Sequence, residues 1–204
     1  MMPNRLQRTL AMTVDGDRLP VFYHFLERGF VVQARTGIAV RDFVCRELGI
    51  APAYLDGRIQ TVFLDARAVD DVNATLVGDG ATLALSAAMP GLVGATLRRG
   101  GHLAAFRRGI SADAGPKPTS TEGRGFVTVK LFNLLTQELG PDLLAAGIRI
   151  GSRTAARFFA DRGERFWAGC RRIQLDGTTI DRQKLLEMEW GDGDVLLKAT
   201  PAAS

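Results

Sequence analysis

The chain reads as an α+β protein made of two small units in tandem, each a small mixed sheet crossed by one helix. Three observations predict this. A set of short landmarks recurs in the same order in the two halves. Each half carries β-rich runs around one amphipathic helical pattern. A stretch rich in Arg, Gly, Pro and Ser separates the halves.

The recurrence is clearest late in each half. Arg58-Ile59-Gln60 leads to Val62-Phe63-Leu64-Asp65, then Val69-Asp70, Leu76, Asp79-Gly80 and Leu83-Ala84-Leu85. Arg172-Ile173-Gln174 leads to Leu175-Asp176-Gly177, then Ile180-Asp181, Leu185-Leu186, Asp192-Gly193 and Val195-Leu196-Leu197. Asp65 and Asp176 lie 111 positions apart, and Asp79 and Asp192 lie 113 apart. Each run describes a strand closed by an acidic turn, then an Asp-Gly turn opening a last strand. Asp-Gly suits such turns because Gly accepts positive φ and Asp bonds its own local backbone.

The earlier elements follow in order. Val21–Phe25 and Phe30–Ala34 read as strands of a hairpin turning at Glu27-Arg28-Gly29. Thr36 is placed to cap a helix whose inner face is Val40, Phe43, Val44 and Leu48, ending at Gly49. In the second half Phe126–Leu135 and Gly147–Ile150 read as strands. Ser152 or Thr154 caps a helix with Ala155, Phe158 and Phe159 inside, ending by Gly163. The predicted division is 1–97 for the first domain with an N-terminal extension, 98–125 for a basic linker, and 126–204 for the second domain. One helix on a small mixed sheet is a sound two-layer solution.

The order of elements resembles the β-grasp (ubiquitin-like) superfamily. Its closest likeness is to the molybdopterin-synthase small subunit and the thiamine sulfur carrier proteins. Val127-Thr128-Val129-Lys130-Leu131-Phe132-Asn133-Leu134-Leu135 is similar to their first strand and the Leu-rich segment after it. Asp176-Gly177 with Ile180, and the turns Asp79-Gly80 and Gly191-Asp192-Gly193-Asp194, are similar to their later landmarks. The resemblance covers residues 20–97 and 126–200 and implies two tandem β-grasp domains. It also implies a Gly-Gly tail if the chain is a carrier. Pro201-Ala202-Ala203-Ser204 departs from that tail, whereas Leu97-Arg98-Arg99-Gly100-Gly101 looks like the ubiquitin type. Gly100 and Gly101 are therefore the candidate modifier tail, exposed by a cut after Gly101, or else an interdomain hinge.

Composition narrows the function classes. The chain is 46% hydrophobic and 24% charged, enough to build a core. Arg98, Arg99, Arg107 and Arg108 fall within eleven residues without an acid, and their charge equals the formal net +4 of the whole chain. They are candidate contacts for an anion or for an acidic partner. Only Phe106 lies near as an aromatic, which disfavours a stacking platform for nucleic acid. A membrane-surface role is thinly supported. Arg162, Arg165, Arg171 and Arg172 are diluted by Asp161 and Glu164 and read as ordinary surface.

Catalytic signals are missing. Cys45 and Cys170 stand apart, and neither His24 nor His102 has an acid or Cys at ligand spacing, so neither a metal nor a cofactor is expected. No nucleophile motif, Walker loop or dinucleotide fingerprint occurs. No secretory pattern or span of about 20 apolar residues is seen, so the cytoplasm is the expected location. Phe132, Leu134, Leu135, Leu139, Leu143 and Leu144, and also Ala87–Val93, are more than one unit can hide. They serve either packing or a partner. The leading expectation is a non-enzymatic tandem ubiquitin-like protein acting through an unidentified protein partner. One alternative is a modifier or sulfur-carrier precursor served by an adenylating enzyme and a peptidase. The other is an adaptor for nucleic acid or an anionic surface.

Overall fold

A computed structural model describes residues 6–87 and 122–203. The class is α+β, as expected, and parallel and antiparallel strand pairs both occur. Two units form, and they cut across chain order. The terminal unit takes residues up to Phe30 and from Gln137 onward, and the central unit takes Val31–Thr136.

The terminal unit begins with strand β1 (Leu6–Val14), a 3-10 turn over Gly16–Phe22 and helix α1 (Tyr23–Arg28). It continues from helix α4 (Leu134–Ala146), whose residues from Gln137 belong here, into β9 (Ile148–Gly151), α5 (Ser152–Ala160) and α6 (Glu164–Ala168). The hairpin β10 (Cys170–Leu175) and β11 (Thr178–Thr179), helix α7 (Arg182–Glu187) and β12 (Asp194–Pro201) complete it. The strand order is β11-β10-β1-β12-β9. β1 is antiparallel to β10 (Leu10 opposite Leu175, Met12 opposite Ile173) and parallel to β12 (Leu10 opposite Leu197).

Period-two alternation sends Leu10, Met12 and Val14 of β1 to the core together with Val195, Leu197 and Ala199 of β12. Full burial of each large side chain contributes about 1.5–3 kcal/mol before entropy is counted. A cluster of Phe22, Phe25, Phe158, Phe159, Phe166 and Trp167 fills the rest of this core. The Phe25 and Phe158 rings are 4.4 Å apart.

The central unit contains β2 (Phe30–Thr36), β3 (Ile38–Ala39) and helix α2 (Val40–Asp42), which runs on as a π-turn through Phe43–Glu47. Helix α3 (Pro52–Gly57), β4 (Thr61–Leu64), β5 (Arg67–Ala68), β6 (Leu76–Val77), β7 (Thr82–Ser86) and β8 (Gly123–Phe132) follow. The strand order is β2-β8-β7-β4-β5, with β3 and β6 as a separate ribbon. β8 runs parallel to β7, and β4 runs antiparallel to it. Val127, Val129 and Leu131 of β8 meet Leu83 and Leu85 of β7 in a core shared with Phe43, Val44 and Leu55.

The recurring landmarks superpose as chemistry. Asp65-Ala66 joins β4 to β5 and Asp176-Gly177 joins β10 to β11, and all four residues have positive φ (50°, 64°, 50° and 82°). These are two-residue turns of the kind that fits the twist of a hairpin. The Val69 N–H donates to the Val62 carbonyl at 2.9 Å, and the Ile180 N–H to the Ile173 carbonyl at 3.0 Å. Gly29 and Gly147, each with positive φ, end α1 and α4 by donating to Phe25 and Leu143 at 2.9 Å.

Several expectations are corrected. No hairpin joins Val21 to Ala34, because Tyr23–Arg28 is helical and only Phe30–Thr36 is a strand. The N-terminal extension carries a central strand, β1, so residues 6–30 do not belong with the rest of 1–97. Residues 123–125, expected as linker, open β8, which ends at Phe132 rather than Leu135. Thr36 does not cap α2, whose N-cap is Ala39, and the Thr36 hydroxyl instead donates to the Gly123 carbonyl at 3.4 Å. Ser152 and Thr154 are not the cap of α5, which starts after Gly151 without a side-chain cap.

Candidate interaction surface

Arg98, Arg99, Gly100, Gly101, Arg107 and Arg108 lie outside the described residues. The basic residues nearer the C-terminus have structural duties. Arg171 forks onto Asp15 with bonds of 2.6 and 2.9 Å. Arg162 lies 4.5 Å from the centre of the Phe158 ring and donates to the Phe158 carbonyl at 3.1 Å. Arg182 covers Trp167 at 5.2 Å and pairs with Glu164 at 2.7 Å. Arg162 and Arg182 close an aromatic core with their flat faces, while Arg171 ties the β10 strand to Asp15.

The central unit presents a more open surface. Alternation along β8 puts Val127, Val129 and Leu131 inside, leaving Phe126, Thr128, Lys130 and Phe132 on the other face, partly or fully exposed. The register carries that face across the sheet. One row is Phe63, Ala84 and Lys130; in the next, Thr61 and Ser86 are buried and Phe132 alone is exposed. Phe132 is 37% exposed and Leu134 46% exposed. They are two of the three large hydrophobic side chains exposed among the described residues, and they flank Asn133.

Asn133 holds this point in shape. Its φ of 58° is left-handed, a conformation Asn tolerates better than most residues. Its amide donates to the Ser86 hydroxyl at 2.8 Å. The Thr136 hydroxyl donates to its carbonyl at 2.6 Å. β8 therefore turns into α4 at a fixed angle, with one apolar side chain on each side of the turn. Phe132 and Leu134 stand out in the sequence as surplus apolar residues. Their shared face with Phe63 and Ala84 depends on strand register, which the sequence does not display.

The chemistry elsewhere is quiet. Burial, helped by Asp15, pushes the Cys170 thiol up to about 11. Burial also raises the Cys45 thiol. Neither is set up as a thiolate nucleophile. His24 stacks on Phe158, and its pKa is lowered by burial and by Arg28 and Arg162. Among the described residues no three His, Cys, Asp or Glu side chains gather as metal ligands would, and no helix is long and apolar enough to cross a membrane. Within the terminal unit Arg149 pairs with the largely buried Asp194 at 3.3 Å, and burial raises the Asp194 pKa.

No protein-family model, curated protein or solved structure matches this chain.

Proposed function

We propose that this chain is a non-catalytic protein built on two β-grasp units with exchanged strands, acting through contact with a protein partner. The architecture supports the β-grasp part of the proposal. Each unit contributes five strands with an inner parallel pair, and a helix comes after its β2 or β9 strand. Each also carries the paired Asp turn.

The observation that carries the functional part is the exposed pair Phe132 and Leu134 around the pinned Asn133, on a face that also bears Phe63, Ala84 and Lys130. Exposed apolar groups held rigidly lose little conformational entropy on docking, which favours a partner site. The test is comparative capture from the native host with wild type and a Phe132→Ser/Leu134→Ser variant. Capture of defined proteins by wild type, lost in the variant at an unchanged unfolding midpoint, is the expected result. Identical capture by both removes this surface from the function.

A further inference from the structure

Each unit draws one of its two middle strands from the other half of the chain. In the terminal unit β1 lies between β10 and β12. Further bonds tie this N-terminal segment to C-terminal residues. The Asp15 N–H donates to the Gly169 carbonyl at 2.8 Å, the Ala202 N–H to the Val14 carbonyl at 2.7 Å, and Arg171 forks onto the Asp15 carboxylate. In the central unit β8 lies between β2 and β7. The Phe126 N–H donates to the Asp79 carboxylate at 2.8 Å, and the Gly80 N–H to the Phe126 carbonyl at 2.8 Å. A Cβ on Gly125 would stand 2.5 Å from the same Asp79 oxygen, so a bare backbone is needed at this approach.

Removing either half therefore takes a middle strand from both units. Leu10, Met12 and Val14 leave the terminal core, or Val127, Val129 and Leu131 leave the central core. What remains is a split sheet with unpaired backbone facing the gap, which is costly when buried. We infer that residues 6–87 and 122–203 are each other's obligate folding partners, and that a chain cut anywhere within 88–121 stays one two-fragment complex. The consequence reaches the modifier alternative. A cut after Gly101 exposes a glycine carboxylate on that complex and does not release a free first unit.

The test is a full-length chain with a specific protease site inserted between Gly115 and Pro116, cut after folding. A second version with the site between Gly109 and Ile110 guards against an insertion that itself disturbs folding. Native mass spectrometry is expected to show both fragments in one species. The urea midpoint of the cut protein falls on dilution, while that of the uncut protein does not. Fragments separated in denaturant show no cooperative transition alone and regain the native spectrum only when mixed. Asp176→Ala weakens the cut complex about tenfold, and Asp176→Asn restores it. A separated fragment that folds cooperatively alone, or separate folded fragments after cutting, would overturn the inference.

Discussion

The Thr9 N–H donates to the Asp176 carboxylate at 2.8 Å, and the Asp176 N–H returns a bond of 2.8 Å to the Thr9 carbonyl. The central unit makes the same pair between Asp65 and Thr82, at 2.8 and 2.9 Å. Thr82 opens β7, so β1 holds in the terminal unit the place that β7 holds in the central one. The Asp turn recognises the strand beside it, and in the terminal unit that strand comes from the other end of the chain. Replacing either Asp by Ala loses a charged acceptor and puts Ala at positive φ. Urea unfolding is expected to show a loss of about 1–2 kcal/mol for Asp65→Ala or Asp176→Ala, and near-wild-type stability for Asp→Asn.

The second turn position differs between the copies in an informative way. Ala66 sits at φ 64° where the other turn has Gly177 at φ 82°. A Cβ on Gly177 would meet nothing within 4 Å, so only backbone conformation separates the two residues. Ala66→Gly is expected to stabilise by about 1 kcal/mol and Gly177→Ala to destabilise by a similar amount. Thermal or urea unfolding of the two variants checks both signs.

Gly125 and Asp79 form a matched pair. Gly125→Ala forces the Asp79 carboxylate away from the Phe126 N–H and is expected to cost about 1–3 kcal/mol. Once Asp79→Gly has removed the whole side chain, Gly125→Ala loses most of that cost. A double-mutant cycle with a coupling of at least about 0.5 kcal/mol is the expected outcome, and additivity speaks against the contact.

Asp194 gives the protein a pH-dependent element. Burial raises its folded-state pKa above the ordinary 3.8 despite Arg149. The folded chain then holds this proton more tightly than the unfolded chain does. Its contribution to stability falls as pH rises from below the ordinary value through the raised one, and it is constant above that. Asp194→Asn should remove this part of the pH profile. Arg149→Met should cost about 3–5 kcal/mol at neutral pH, where it strands a buried carboxylate, and less in acid. Urea titrations of the three proteins from about pH 3 to pH 7 test the sign.

The sequence carried the local chemistry of the fold better than its connectivity. Both Asp turns were legible because strand, acid and following apolar residue recur in order. The inner face of α5 is legible from helical spacing, and so are the buried Val40, Phe43 and Val44, although Phe43 and Val44 lie in the π-turn after α2. Helix α1 was missed because Val21–Phe25 is apolar enough to imitate a strand, although Tyr23–Arg28 coils. β1 was missed because Leu10, Met12 and Val14 alternate within a segment taken as an extension. The strand exchange had no sequence signal at all. Leu10-Met12-Val14 and Val127-Val129-Leu131 share the same alternation, so the pattern alone does not say which unit each strand joins. The exposed pair Phe132 and Leu134 was legible as surplus, while the face around it waited on register. Gly100, Gly101 and the four arginines of the candidate tail and patch lie outside the described residues.

Cross-strand NOEs in the isotopically labelled full chain report on the strand exchange. Facing antiparallel residues bring their Cα atoms within about 4.5–5.5 Å, close enough for backbone contacts to be observed. The structure predicts NOEs from Leu10 to Leu175 and from Met12 to Ile173. Backbone NOEs from Leu10 and Met12 to Leu83 and Leu85 of β7 would instead mean that each half of the chain builds its own sheet and that no strand is exchanged.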